Sequence, residues 1–358
     1  MGKKISAKDR FLDRYLGVKE DWDKHMAEQN PGPSTDILLK LQEDYGNATN
    51  HGLGSEKWYS NEFFNHSLVL NFINDALDKE DRELVAELQK VYIGYIDTPG
   101  MTAEAMNMDE ESYGYLITMN FDIELQMELM CNLTSSYLYS LNLHSIENNK
   151  EEFEQYRDME ENLWYLVDKN ALLDKRKSER MDGQDKKERI VQDVKDITPK
   201  EDIATDLFEA GMSFIIGHEI GHHVLKHTES DATPERKRLE EFDADEFGLN
   251  LVIKRLKSRE KKYLFAPLMV ILMLALAEAK PDEPSEEHPS PKERYFNLLN
   301  KLSEYDEELA QELQHHFQTL AAWIYDDTLF SNQKDYWNTE WWIQNKDKVS
   351  DSGVQQEF

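Results

Sequence analysis

The strongest constraint on the fold is the sequence HEIGH at 218–222, which lies inside a long apolar helix predicted over residues 202–227. Two histidines four residues apart on a helix are separated by about 40° around the axis and roughly 6 Å along it. The imidazoles of His218 and His222 can therefore point to one side and bind a single metal ion, with Glu219 next to the first of them. Because the flanking residues are apolar, this polar stripe has to face a second element inside the protein.

A second helix supplies candidate carboxylates. The sequence TPE at 233–235 is typical of a helix start, with threonine as N-cap and proline at the first position, and the helix is predicted to continue to Lys257. A catalytic zinc ion commonly takes two histidines and one carboxylate. Glu241 is the first choice for that third ligand and Glu240 the alternative, while Asp245 is placed to accept a hydrogen bond from a ligand histidine. The competing interpretation is that these acids form the solvated face of an acidic helix.

Together the two helices resemble the gluzincin metallopeptidases, in particular the family of CaaX prenyl proteases and HtpX-like peptidases. The pattern of that family is HExxH, then ExxxD, then a His-Pro element followed closely by arginine. Here HEIGH is followed by EFDAD at 241–245 and by HPSPKER at 288–294. The resemblance implies that Zn²⁺ is the cofactor, that His218, His222 and Glu241 bind it, that Glu219 is the catalytic base, and that Asp245 supports a ligand histidine.

The resemblance also gives a meaning to three other features. It implies that His288 and Arg294 lie near the metal and steady the substrate or the oxyanion. The segment Tyr115–Ile123 is rich in aromatic and β-branched residues and is the best strand candidate in the chain. In gluzincins an edge strand above the active-site helix pairs with extended substrate, which implies that role for Tyr115–Ile123. The alternative is that this segment is an inner strand of a small sheet.

Charge and cysteine content exclude several classes of function. With 72 acidic and 41 basic residues the formal net charge is −31, so we expect no nucleic-acid partner, because phosphate backbones need Lys and Arg. The single cysteine, Cys131, excludes an internal disulfide and fits a reducing compartment. No secretory signal is expected, and the apolar run at 263–277 is shorter than the roughly 20 residues of a membrane span, so it is predicted to be a buried helix. We therefore expect a cytoplasmic protein without a membrane span.

The predicted fold is mainly α, with a zincin-like α+β metallopeptidase core, a small sheet and additional helices. Residues 1–110 are predicted to be a helical N-terminal region, in which apolar spacing over 84–92 indicates a helix. Residues 111–300 are expected to form the metallopeptidase domain, and 301–358 a C-terminal helical segment that packs on it. The proline-rich stretch at 281–291 is predicted to be an irregular loop.

The function expected from this pattern is zinc-dependent endopeptidase hydrolysis of an intracellular protein or peptide. Two alternatives stay open: a zinc aminopeptidase, and a zincin-like binding or sensor module without turnover. His223 and His227 are also four residues apart, but on a continuous helix they face roughly 100–140° away from the candidate ligands. They are predicted to be surface or hydrogen-bonded residues.

Overall fold

The computed structural model describes much of the chain between residues 4 and 325. The described residues are 4–15 and 17, 35–49 and 51, 60–96, 102–107, 112–120, separate positions between 123 and 138, 201–229, 232–255, 261–277 and 283–325. The chain divides into two compact units, each assembled from several stretches. The first unit comprises Met1–Leu125, Met212–Arg259 and Glu286–His288, and the second comprises Gln126–Gly211, Glu260–Ser285 and Pro289–Phe358. The organisation into 1–110, 111–300 and 301–358 stays a prediction.

Helices dominate the described residues, and small sheets accompany them, which confirms the predicted mainly α fold. The α-helices with defined bounds are α1 (Thr35–Ala48), α2 (Ser60–Asp78), α3 (Arg82–Leu88), α4 (Glu201–Val224), α5 (Pro234–Arg255), α6 (Phe265–Ala277), α7 (Pro291–Tyr305) and α8 (Glu307–Tyr325). Residues 7–15 and the described positions between 123 and 138 are helical as well.

Five short strands form two sheets among the described residues. They are β1 (Ile5–Ser6), β2 (Val91–Ile96), β3 (Ala103–Met106), β4 (Ser112–Tyr113) and β5 (Tyr115–Asn120). In the larger sheet β5 lies in the middle, parallel to β2 and antiparallel to β3. In the smaller sheet β1 and β4 pair in parallel.

The prediction that Tyr115–Ile123 is an edge strand for substrate is wrong. The strand ends at Asn120, Ile123 is helical, and both edges of β5 are hydrogen-bonded to neighbouring strands. Every residue of β5 after Tyr115 is buried, as expected for a strand at the centre of a sheet. The edge strands of this sheet are instead β2 and β3.

The helix predicted across 84–92 is also wrong in its second half. Helix α3 ends at Leu88, and strand β2 begins at Val91 after a tight turn in which the Lys90 N–H bonds to the Glu87 carbonyl. The segment VYIGYI contains β-branched and aromatic residues that suit a buried strand. The apparent helical spacing therefore arose from reading two elements as one.

Helices α4 and α5 approach each other unusually closely in the first unit. A Cβ atom built on Gly217 would lie 2.9 Å from the Cα of Gly248, and one built on Gly221 would lie 3.2 Å from the Cα of Ala244. Side chains at these positions would hold the two helices apart, so glycine allows the backbones to approach. The candidate histidines and carboxylates lie on these two helices, close to the contact.

The end of α4 differs from the prediction. The helix was expected to continue to His227 but ends at Val224, and His227 begins a 3₁₀ turn, His227–Glu229. Lys226 has a φ of 64°, in the left-handed region that terminates helices. By contrast, α5 begins at Pro234 as predicted, and the Arg236 N–H bonds to the N-cap hydroxyl of Thr233.

The apolar run at 263–277 is a buried helix, as predicted. A 3₁₀ turn, Lys261–Leu264, leads into α6, which packs against α7 and α8 in the second unit. The described part of the chain contains no helix that is both long enough and apolar enough to cross a membrane.

The predicted loop before α7 is irregular at the described positions 283–290, and α7 starts with Ser290 and Glu293 forming a capping box. Cys131 is buried and forms no disulfide bond.

Candidate metal centre

Three side chains of the first unit converge on one point between α4 and α5. The Nε2 atoms of His218 and His222 are 3.1 Å apart. Glu241 approaches both of them, with Oε2 3.5 Å from the His218 Nε2 and Oε1 3.4 Å from the His222 Nε2. These three residues form a group that could hold a metal ion. The structure thus brings together the three residues predicted as ligands.

The spacing of the three donor atoms fits a tetrahedral metal. Ligand atoms about 2.0–2.2 Å from a tetrahedral zinc ion lie roughly 3.3–3.6 Å from one another. The three measured separations, 3.1, 3.4 and 3.5 Å, lie close to that range. Two histidines and a carboxylate are also the donor set that catalytic zinc uses. The residues present therefore fit the ion that the sequence pattern implies.

Asp245 sets the orientation of the first histidine. The Nδ1 of His218 lies 2.9 Å from Oδ1 of Asp245, which is fully buried one turn after Glu241 on α5. A carboxylate accepts this hydrogen bond, so Nδ1 of His218 carries the proton and its Nε2 presents a lone pair to the cluster. The lone pair of His218 Nε2 therefore faces Nε2 of His222, 3.1 Å away, and is available to a cation bound at the cluster.

Glu241 is ionised in this environment. Burial alone would raise the pKa of Glu241, but the imidazoles of His218, His222 and His288 hold it well below its usual range. The neighbouring Glu240, the alternative ligand, points to other partners, since its Oε1 lies 3.4 Å from Nε of Arg236. The structure therefore places Glu241 rather than Glu240 at the cluster.

Glu219 is a buried acid beside the cluster. Its Oε2 accepts a 2.7 Å hydrogen bond from the backbone N–H of Ala105 on strand β3. Burial raises the pKa of Glu219, the charge of Glu241 raises it further, and His218, His222 and the Ala105 N–H oppose this rise. A carboxylate whose pKa is raised is a stronger base towards water than an exposed carboxylate.

The last two predicted residues follow α5 in the chain. Nδ1 of His288 lies 3.3 Å from Oε1 of Glu241, and 60% of the His288 side chain is exposed. The adjacent Glu287 forms a 2.6 Å ion pair with Lys237, one turn before Glu241. Arg294 lies in α7, in the second unit, and is half-buried. The roles of His288 and Arg294 stay predictions.

His223 and His227 occupy different environments. His223 is buried, stacks on the ring of Tyr115 at 4.7 Å, and its Nε2–H donates to the Leu116 carbonyl. Burial lowers the pKa of His223 to about 4. His227 does not face away from the ligands, because Nδ1 of His227 lies 3.1 Å from Nδ1 of His222. The prediction that both histidines are hydrogen-bonded or exposed holds. The prediction that His227 faces away from the candidate ligands is wrong, because α4 ends before His227.

Sequence reasoning missed two contributions to this site. The first is the Ala105 N–H, a backbone group 114 residues from Glu219, which no side-chain pattern indicates. The second is His227, whose position depends on the left-handed conformation of Lys226. A helix end recognised before His227 would have indicated this position. Glycine commonly marks such an end, but the residue at 226 is lysine, which does not.

One comparison with known proteins matched the chain. Residues 133–314, about half of the chain, match a family described as Peptidase U49. The matched range includes α4, α5 and α7, together with every residue predicted for the site. Neither the curated proteins nor the solved structures contain a match.

Proposed function

Because the chain belongs to the Peptidase U49 family, we propose that it is a zinc-dependent metalloendopeptidase of the gluzincin type. Its substrate is a protein or peptide. The observation that carries the proposal is the meeting of His218, His222 and Glu241 at separations that suit a tetrahedral zinc ion. We place the enzyme in the cytoplasm, where the single cysteine, Cys131, stays reduced.

The metal would be held by Nε2 of His218, Nε2 of His222 and the carboxylate of Glu241. Zinc, when bound, makes a water molecule more acidic and polarises the carbonyl group that is attacked. Asp245 keeps His218 in the tautomer whose Nε2 is available as a ligand. The buried carboxylate of Glu241 contributes a negative charge that offsets part of the charge of the ion.

Glu219 acts as the general base and then as the general acid. Its carboxylate accepts one proton from the attacking water as the oxygen bonds to the peptide carbon. It returns that proton to the amide nitrogen as the carbon–nitrogen bond breaks, so the products are a free carboxyl and a free amine. The raised pKa of Glu219 favours acceptance of the proton from water, because its buried carboxylate is a stronger base than an exposed one.

The edge strand β3 is the proposed docking strand for extended substrate. Ala105 donates its N–H to Glu219 rather than to β5, so this N–H points to the outer edge of the sheet. Ala103 is two residues away, and its N–H points to the same edge of the sheet because alternate residues of a strand have the same orientation. A peptide paired along this edge would run past the base, with its backbone held by hydrogen bonds that require no particular sequence.

His288 is proposed to hold the oxygen of the tetrahedral intermediate. It lies against Glu241 and is largely exposed, as a residue that meets incoming substrate has to be. An imidazole N–H that donates to a developing oxyanion stabilises the transition state more than the substrate.

The variant Glu219→Gln tests this function directly. Incubation with a library of quenched fluorescent peptides and mapping of new N-termini in a cell lysate would measure hydrolysis, and elemental analysis would measure zinc. We expect the variant to retain zinc and to lose hydrolysis by about 100-fold or more. Glu240→Gln is the matched control, since Glu240 is equally buried but does not face the cluster.

The two measurements separate the alternatives. A wild-type chain that binds zinc but cleaves nothing would favour the binding or sensor module. Cleavage only at free N-termini would favour an aminopeptidase. A Glu219→Gln variant as active as the wild type would show that another group is the base.

A further inference from the structure

The two candidate ligand histidines have different partners on the side away from the cluster. His218 donates its Nδ1–H to the carboxylate of Asp245. His222 meets a second imidazole instead, with 3.1 Å between Nδ1 of His222 and Nδ1 of His227. The two rings are 5.2 Å apart between centroids and inclined by 71°, which is an edge-to-face arrangement rather than a stack.

With a metal ion bound at Nε2 of His222, the proton in the His222–His227 contact has one consistent position. Nε2 of His222 faces the His218 Nε2 and Glu241, so this nitrogen has to be unprotonated to serve as a ligand. A neutral imidazole carries one proton, which then resides on Nδ1 of His222. Two nitrogens 3.1 Å apart form a hydrogen bond only if the second one accepts. Nδ1 of His227 is therefore the acceptor, and the His227 proton is on its Nε2.

The backbone is bent to make this contact. On a continuous helix, His227 would be turned roughly 140° away from His222. Lys226 adopts a φ of 64° immediately before it, and its N–H bonds to the His223 carbonyl, which ends α4. The left-handed region is less favourable for a non-glycine residue than for glycine. Strained residues of this kind cluster at functional sites, where the surrounding contacts hold them in place.

We propose that His227 is a positioning residue that holds His222 in the orientation and tautomer required for metal binding. His227 would do for His222 what Asp245 does for His218, namely accept the hydrogen bond from Nδ1–H, but its acceptor is a neutral imidazole nitrogen instead of a carboxylate oxygen. The proposal rests on the proposed function, since it requires that the cluster binds a metal. Partners of this kind typically change metal affinity by about 10- to 100-fold.

The test is a Zn²⁺ titration of the full chain after removal of metal, in competition with a chromophoric chelator. Two variants separate the acceptor from the ring. His227→Phe keeps an aromatic ring but has no acceptor, and we expect its Kd for zinc to rise about 10- to 100-fold. His227→Asn loses the ring but offers Oδ1 near the former Nδ1, and we expect its Kd to stay within a few-fold of the wild type.

Lys226→Gly is the control for the backbone. Glycine adopts a positive φ without strain, so the turn and the zinc Kd should be unchanged. Zinc binding by His227→Phe that equals the wild type would overturn the inference, as would an equal loss in His227→Asn and His227→Phe. A wild-type chain that binds no zinc would overturn the proposed function instead, and the inference with it.

Discussion

The backbone N–H of Ala105 donates a 2.7 Å hydrogen bond to Oε2 of Glu219, although the two residues are 114 positions apart. This bond joins the edge strand β3 to the helix that carries both candidate ligand histidines. The proposed base and the proposed docking strand are thus in direct contact. A substrate paired with β3 would be aligned with Glu219 by the same backbone segment.

Replacing Ala105 by proline removes this donor. Proline is tolerated on edge strands, and the lost N–H is not one that bonds to β5. A hydrogen bond to a charged group contributes about 1.5–3 kcal/mol, so we expect peptide hydrolysis to fall about 10- to 100-fold with zinc content unchanged. Ala105→Ser retains the N–H and should hydrolyse the peptide library at the wild-type rate. Equal rates in Ala105→Pro and Ala105→Ser would contradict this role for the bond.

Metal content should depend on Glu241 and not on its neighbour. Glu241→Gln removes the negative ligand, and we expect the zinc-to-protein ratio measured by elemental analysis to fall from about one to nearly zero. Glu240→Gln should retain the metal, because the Glu240 carboxylate lies against Arg236. The opposite pattern, with zinc lost from Glu240→Gln alone, would show that the alternative ligand is the true one.

Gly248→Ala should separate the two helices that form the cluster. The new Cβ would lie 2.8 Å from the carbonyl oxygen of Phe214 and 2.9 Å from the backbone nitrogen of His218. Overpacking of this kind typically lowers the free energy of unfolding by about 1–3 kcal/mol, and we expect zinc affinity to fall as well. Gly17→Ala is the control, since no other described residue beyond its own stretch of helix has an atom within 4 Å of a Cβ built there. Chemical unfolding and zinc titration of both variants would measure the difference; an unaffected Gly248→Ala would argue against the close contact.

Stability should decrease in mild acid because of a buried histidine on α8. Burial lowers the pKa of His316 to about 4 from its ordinary 6.5. Between pH 4 and pH 6.5 this histidine binds a proton in the unfolded chain but not in the folded chain. The free energy of unfolding therefore rises with pH over this interval, and it decreases as pH falls from 6.5 towards 4. The contribution of His316 over this interval is about 3 kcal/mol.

His316→Leu should reduce that pH dependence, measured by urea unfolding between pH 4 and pH 7 with a metal chelator present. Phe317→Leu, at the adjacent buried position, is the control, because it should lower the free energy of unfolding by an amount that does not depend on pH. If His316→Leu leaves the slope against pH as steep as in the wild type, other groups account for the acid sensitivity.

Local patterns were sufficient to predict the elements that carry the candidate ligands. The start of α5 follows from threonine and proline at 233–234, and the spacing of Glu241 and Asp245 places both on one face of that helix. The buried helix at 263–277 follows from its apolar composition. Each of these predictions depends only on interactions within a few residues, which the sequence displays directly.

Predictions that depend on partners distant in sequence were less successful. Composition identified β5 as a strand but left open whether it lies at the edge or inside its sheet, because the neighbours of a strand are segments elsewhere in the chain. Strand β2 was interpreted as the end of a helix, since Val91 and Tyr92 continue the apolar spacing of α3. Burial by other elements, rather than local preference, decides such cases.

The amino-acid sequence by itself determined which side chains are the candidate ligands and the candidate base, because HEIGH and EFDAD place them on the faces of two helices by helical geometry alone. Only the tertiary structure decided that Glu241 rather than Glu240 meets the histidines, that Ala105 bonds to Glu219, and that His227 turns back to His222. The physical reason is distance along the chain. Helix periodicity is a property of neighbouring residues, whereas these contacts depend on the close packing of α4 and α5, on the pairing of β3, and on one left-handed residue at a helix end.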